Sequence, residues 1–215
     1  MTTSKERYNP QDVFLILKEQ HRLCAELSLG IPDMVLTENM PIIDWRDASD
    51  LKRWRNLSVY LNESWQIEIS ENEWKKVFEP QTEKKLIGLC KLIAENSVKK
   101  KFKSKKIFGN DCLSAGIFYQ IKEGLEKRGI NTLNLKPSSK IKPFLTKHPS
   151  EILEEITQTG VSVIEQIEVI KRKKTKNTML EKLNIFDRYH NDLSFSNIET
   201  FGELIELLIK KNERA

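Results

Sequence analysis

Residues 51–96 constrain this chain more than any other stretch, because their apolar side chains repeat at helical spacing and the repeat is then punctuated in order. Leu51, Trp54, Leu57, Ser58, Leu61 and Trp65 recur three and four residues apart, which predicts a helix with one buried face. Lys52, Arg53, Arg55 and Asn62 fall outside that face. Ile67 and Ile69 then share one side of a short extended crossing. Ser70-Glu71-Asn72-Glu73 is a capping-box pattern, so a short helix carrying Trp74, Val77 and Phe78 is expected to follow and to end at Pro80. Thr82 is expected to cap a closing helix whose stripe is Leu86, Leu89, Cys90, Leu92 and Ile93. A related ending, DLSFSNIETFGELIELLIKKN, finishes the chain, with a second capping box at Thr200 and Glu203.

The remaining segments extend the same logic. Asn9-Pro10 suits a helix start, since Asn caps free amides and Pro needs no amide hydrogen there. Val13, Phe14, Leu17, His21, Cys24 and Leu27 give that helix its apolar stripe, and Gly30 and Pro32 stop it. Residues 31–48 read as an irregular connection lying across a core, because Met34, Val35, Leu36, Met40, Ile42, Ile43 and Trp45 crowd it. The next helix is expected to begin near Asp47 or Asp50, whose carboxylates suit a helix start. Further on, Cys112 to Arg128 reads as a helix, followed by a second irregular stretch through Ile141, Pro143, Phe144 and Leu145. Pro149-Ser150 starts a helix carrying Ile152, Leu153 and Ile156. The run VSVIEQIEVIKRKKTK fits a helix or an extended strand equally, and Met179 to Tyr189 reads as helix.

Laid side by side, the two halves share an order of parts: opening helix, long apolar loop, second helix, short helix, Thr-capped closing helix. The expected fold is therefore mainly α, with two small four-helix modules in tandem at residues 8–97 and 112–213. A basic linker at 98–111 joins them, and the second module is enlarged around residues 159–178. If residues 98–108 and 162–174 are extended, they could pair as a short β-ribbon between the halves.

The layout of LNESWQIEISENEWKKVFEPQTEKKLIGLCKLIAEN resembles the acyl carrier protein family over about residues 10–97, and more faintly over 114–212. That resemblance implies a four-helix bundle whose second helix starts at a serine bearing a phosphopantetheine arm. Here the count back from Trp65 and the Ile67–Ile69 crossing puts Leu51 at that place, after Asp50. Leucine has no nucleophilic oxygen to esterify. Using Ser49 instead adds two residues to the helix and turns its later side chains by about 200 degrees. Ser150, the serine near the corresponding start in the second half, reads as an N-cap. The family's recognition surface is usually acidic, whereas Lys52, Arg53 and Arg55 crowd it here. The resemblance thus implies a carrier-like fold without the carrier reaction, and no cofactor is expected.

Other chemistries find little footing. His21 and Cys24 lie three apart on a helix, but His148 and His190 are isolated, and a zinc site needs about four such ligands. No phosphate-binding glycine loop, Cys-x-x-Cys, His-Glu-x-x-His or Gly-x-Ser-x-Gly is present. Glu154-Glu155 and Asp47-Asp50 read as solvated or helix-dipole charges. The three cysteines, Cys24, Cys90 and Cys112, are widely spaced within apolar patterns and read as reduced thiols. No apolar run approaches the roughly 18 residues of a membrane span, and the polar start MTTSKERYNPQ lacks a secretion signal, so a cytoplasmic protein is expected.

Three functional readings remain. The first is a non-enzymatic protein-interaction module, docking through Trp45, Lys52, Arg53, Arg55 and Trp74, since aromatic residues anchor interfaces. The second is nucleic-acid binding through two lysine runs at 99–106 and 171–176. Their candidate residues are Lys99, Lys100, Lys101, Lys103, Lys105 and Lys106, with Lys171, Arg172, Lys173 and Lys174, and Phe102 is placed to stack on a base. Against it stands the plainer reading of exposed linkers kept soluble by charge, which is preferred at this level. The third is a true carrier modified at Ser49.

Overall fold

The computed structural model describes residues 6–27, 30–99, 101–159, 161, 166–170 and 192–213. Over these residues it is mainly helical, with two small two-stranded sheets. No helix among them is long and apolar enough to cross a membrane. The chain divides into two units, residues 1–99 and 100–215.

In the first unit, helix α1 (Pro10–Leu27) opens on a reciprocal cap. The Asp12 amide donates to Asn9 Oδ1 at 2.8 Å, and the Asn9 amide donates to Asp12 Oδ2 at 3.3 Å. Its buried face carries Val13, Phe14, Ile16, Leu17 and His21. Helices α2 (Ile42–Ala48), α3 (Trp54–Trp65), α4 (Glu71–Phe78) and α5 (Leu86–Asn96) follow. α5 packs along α1 and buries Leu86, Leu89, Cys90 and Ile93 completely. Truncating such a leucine to alanine typically costs about 2–5 kcal/mol.

Three expectations are corrected here. The connection at 31–48 is not irregular throughout: its last seven residues form α2, which has no side-chain cap to announce it because Pro41 precedes it. The following helix starts at Trp54 rather than near Asp47 or Asp50. Asp50 takes a left-handed turn (φ +50°) and the Leu51 amide returns to the Arg46 carbonyl at 2.9 Å, so Leu51–Arg53 stay outside the helix. Finally, Thr82 lies in a turn and caps nothing. α5 begins after Lys85, whose side chain makes no capping bond.

α4 behaves as its capping box predicts, with Ser70 Oγ and the Glu73 carboxylate satisfying each other's backbone amides. Asn62, expected outside the buried face, instead ties three pieces together. It donates to the Ile69 carbonyl at 2.9 Å, and its Oδ1 accepts from the Ile69 amide at 3.2 Å and from Trp74 Nε1 at 3.1 Å. In the core Trp54 stacks on Phe78, and Trp74 meets the same ring at a tilt. A clasp joins the segment before α2 to the segment before α5. The Ile42 amide donates to Lys84 O (2.9 Å), Leu86 to Met40 O (3.0 Å) and Ile87 to Glu38 O (2.9 Å), around a Pro41–Lys85 bridge.

The second unit opens with a hairpin, β1 (Lys105–Ile107) and β2 (Asn110–Cys112), paired antiparallel with Lys106 opposite Asp111. Helices α6 (Leu113–Lys127), α7 (Ile141–Lys147) and α8 (Pro149–Thr157), strands β3 (Ile167–Ile170) and β4 (Asp192–Phe195), and helix α9 (Phe201–Asn212) complete it. α6 buries Ile117, Phe118, Ile121 and Leu125, and α9 buries Phe201, Leu204, Ile205 and Leu208. Its clasp runs around a Lys140–Thr200 bridge. There the Ile141 amide donates to Glu199 O (2.8 Å), Phe201 to Ser139 O (3.1 Å) and Gly202 to Pro137 O (2.7 Å). Thr200 and Glu203 form the expected capping box.

Further corrections fall in this unit. α7 occupies a stretch expected to be irregular, and Pro143 sits in its first turn, where a missing amide is tolerated. His148, not Ser150, is the N-cap of α8, and Ser150 lies inside its first turn. Among the described residues, 98–108 and 162–174 do not pair as a ribbon. β1 pairs with β2, while β3, within the ambiguous VSVIEQIEVIKRKKTK run, pairs with β4. Met179–Tyr189 lies outside the described residues.

Candidate functional site

Residues 99–112 hold six lysines and one aspartate, a local charge equal to the +5 of the entire chain. The run at 171–176 carries a further +5, so the basic character sits in two short segments and the sequence outside them is net acidic. The first residues of the segment expected as a basic linker, 98–111, are tied down. Val98 bridges Arg7, the Lys99 amide donates to Glu6 O at 2.8 Å, and Lys99 Nζ pairs with Asp12 at 3.2 Å, all within the first unit.

From Lys101 the backbone lies against α6. Gln120 Nε2 donates to the Lys101 carbonyl at 3.3 Å. Gly116 is covered so closely that a β-carbon there would stand 1.7 Å from Lys103 O. Ile107 and Cys112, both half-buried, continue this seating in the hairpin. Lys105 Nζ sits 3.3 Å above the centre of the Tyr119 ring, a cation–π contact. The side chains of Lys101, Lys103, Lys105 and Lys106 are exposed, and Phe102 is half-buried.

The hairpin turns through Phe108 and Gly109, with φ +49° and +86°. Two positive φ angles in a two-residue loop match the strand twist, but they favour Asn-Gly or Gly-Gly. An ordinary side chain in that region costs about 1–2 kcal/mol. Phe108 is fully exposed, at 101% of its reference area, and adds nothing to the core. Leu113 and Tyr119 are also partly exposed. Phe108, Gly116 and Tyr119 were not among the residues expected from sequence. The readable signal was Phe-Gly-Asn-Asp, a turn sequence beginning with an aromatic between two short strands. The second lysine run, Lys171, Arg172, Lys173 and Lys174, lies outside the described residues, as does Lys100.

The other candidates separate. Trp45 and Trp74 are buried at 3% and 1% exposure, which removes them from any docking surface and assigns them to the core. Lys52 and Arg53 are exposed. Arg55 pairs with Glu71 at 2.9 Å and lies 4.9 Å over the Trp54 ring. Beside them on α3, Val59 and Tyr60 are exposed.

Ser49 follows α2 directly and is buried at 3% exposure, with its hydroxyl 2.8 Å from His21 Nδ1. A phosphopantetheine arm there would have to displace the imidazole and open the core. Burial pushes the His21 pKa below its ordinary value, and backbone hydrogen bonding with Met34 and Ile31 partly offsets that.

Glu154 and Glu155 are not solvated, as the sequence had implied, but buried against Arg128. Arg128 bonds Glu154 through Nη1 and reaches Glu155 at 3.1 Å. Desolvation first, and then the Glu155 charge, push the Glu154 pKa up to about 8. Among the described residues, no three His, Cys, Asp or Glu side chains converge as a metal site would need.

No family model, curated protein or solved structure matches the chain.

Proposed function

We propose that the chain is a non-enzymatic binding protein whose segment from Lys101 to Cys112 engages the backbone of a nucleic acid. One observation carries the reading: a row of exposed lysines on backbone seated against α6, ending in a solvent-exposed phenyl ring. Lys101, Lys103 and Lys105 recur at every second residue of the segment, with Lys105 opening β1. Such a row offers point charges for successive phosphates, and each contact releases counterions. The reading assigns no reaction and no cofactor.

A salt series tests it. With about four phosphates neutralised, the affinity of the full chain for a labelled single strand should fall roughly fifty-fold between 50 and 200 mM salt. Affinity independent of salt would reject the reading.

A second reading has its own support. α3 presents Val59 at 57% and Tyr60 at 40% exposure, and Lys52 and Arg53 are exposed just before its start, a surface suited to a protein partner. Under it the chain is a pair of carrier-like modules acting by docking. The matching hydrogen-bond order of the two clasps supports the tandem arrangement. A companion protein that co-purifies from the native host, and is lost on Val59→Asp, would favour this reading.

A further inference from the structure

We infer that Phe108 is a stacking platform for an unpaired base, so that the hairpin selects single-stranded over double-stranded nucleic acid. This rests on the nucleic-acid reading above and gives it a substrate class.

The argument begins with what the ring does not do. A phenyl group at full exposure buries no apolar surface in the described structure, and it occupies a left-handed backbone position that glycine and asparagine suit better. Folding gains nothing from it there. A ligand that covers the ring removes its apolar area from water.

Charge then narrows the ligand. Lys105 and Lys106 stand on the two faces of the strand leading to the tip, and Lys101 and Lys103 precede them in the same exposed segment, so whatever covers the ring arrives at a strongly basic stretch of chain. An unpaired nucleotide matches both demands, offering a flat π-face for the ring and a phosphate for the lysines. In a duplex the bases stack on one another and their faces are closed to a side chain at a turn tip.

The seating of the segment supports the same geometry. Gly116 and Gln120 hold its base, and Ile107 and Cys112 are half-buried, so the tip projects from a seated stem. Lys106 and Asp111, paired across the hairpin, lie on the other side of the two strands. Asp111 stands opposite Lys106, on the face of the hairpin away from Lys105.

Fluorescence anisotropy on the full-length protein tests this with three probes: a labelled twelve-nucleotide oligothymidine, a duplex of equal length, and phosphatidylserine vesicles. The single strand should bind at least tenfold more tightly than the duplex. Phe108→Ala should lose roughly tenfold on the single strand, the scale of one stacked base, and little on the duplex. Phe108→Trp should restore binding, with an indole emission that changes on addition of the oligonucleotide. Lys103→Ala combined with Lys106→Ala should weaken both nucleic acids alike.

Equal affinity for strand and duplex, or an unaffected Phe108→Ala, overturns the stacking role while leaving the phosphate reading standing. Binding to vesicles in preference to either nucleic acid reassigns the tip to a membrane surface and overturns the inference. Failure to bind any of the three probes overturns the broader reading as well.

Discussion

A β-carbon on Gly116 would stand 1.7 Å from the carbonyl oxygen of Lys103 and 2.7 Å from its carbonyl carbon. Both obstacles are backbone, so no side-chain rotation relieves them. Gly116→Ala should lift the lysine segment off α6, lower stability by about 1–3 kcal/mol in urea unfolding, and weaken oligonucleotide binding together with it. Gly88, inside α5, is the control: a β-carbon there meets nothing within 4 Å. Gly88→Ala should raise stability by about 0.5–1 kcal/mol.

The two units should respond to pH in opposite directions. The unfolded chain releases the Glu154 proton near 4.5, whereas the folded chain holds it to about 8. The folded state thus binds more protons between those values, and the second unit loses stability as pH rises through that window, by on the order of 4 kcal/mol. His21 works the other way. Its folded pKa lies below 6.5, so the first unit loses stability as pH falls from 6.5 toward the folded value. Urea unfolding at pH 5.5, 7 and 8 checks both slopes. Glu154→Gln should flatten the alkaline slope. Arg128→Ala should cost about 3–5 kcal/mol, and more at pH 8 than at pH 5.5.

Incubation of the folded protein with a phosphopantetheinyl transferase and coenzyme A should leave its mass unchanged, because the Ser49 hydroxyl is buried against His21. Ser49→Ala should leave the imidazole nitrogen without its hydroxyl partner and cost about 1–3 kcal/mol in thermal or urea melts. An added arm at Ser49 would show that the α1–α2 packing opens.

Cys112 and Cys90 should differ sharply toward alkylation. Burial, reinforced by the Glu38 charge, pushes the Cys90 thiol up to about 12. Hydrogen bonding from Ser114, with help from the Ala115 amide, holds the Cys112 thiol below its ordinary range, and its side chain is only half-buried. Peptide mapping after brief iodoacetamide treatment at pH 7.5 should find Cys112 modified and Cys90 intact.

Helices with a long apolar stripe or a capping box were legible in the sequence. α1, α4, α6 and α9 appear close to their expected places because Asn9, Ser70 and Thr200 announce three of them and the stripes define their faces. α2 and α7 were not legible. Each is seven residues long, follows Pro41 or Lys140 without a side-chain cap, and is held by the clasp to a distant segment rather than by local signals. The candidate site was half legible. The lysines could be counted, but their seating depends on the absent side chain of Gly116, and spacing alone does not register an absence. Trp45 and Trp74 misled for the opposite reason: an aromatic side chain suits a core and an interface equally, and burial decides between them.

The clasps carry a consequence for how length can be distributed along the chain. Pro41 and Lys85 are 44 residues apart, while Lys140 and Thr200 are 60 apart. The entropy of closing a flexible loop grows only with the logarithm of its length, so the longer circuit costs about 0.3 kcal/mol more than the shorter one. Sequence added inside either circuit therefore barely loosens the knot that ties the last helix in place, whereas one residue added between Lys84 and Leu86, or between Glu199 and Phe201, would slip every hydrogen bond in it.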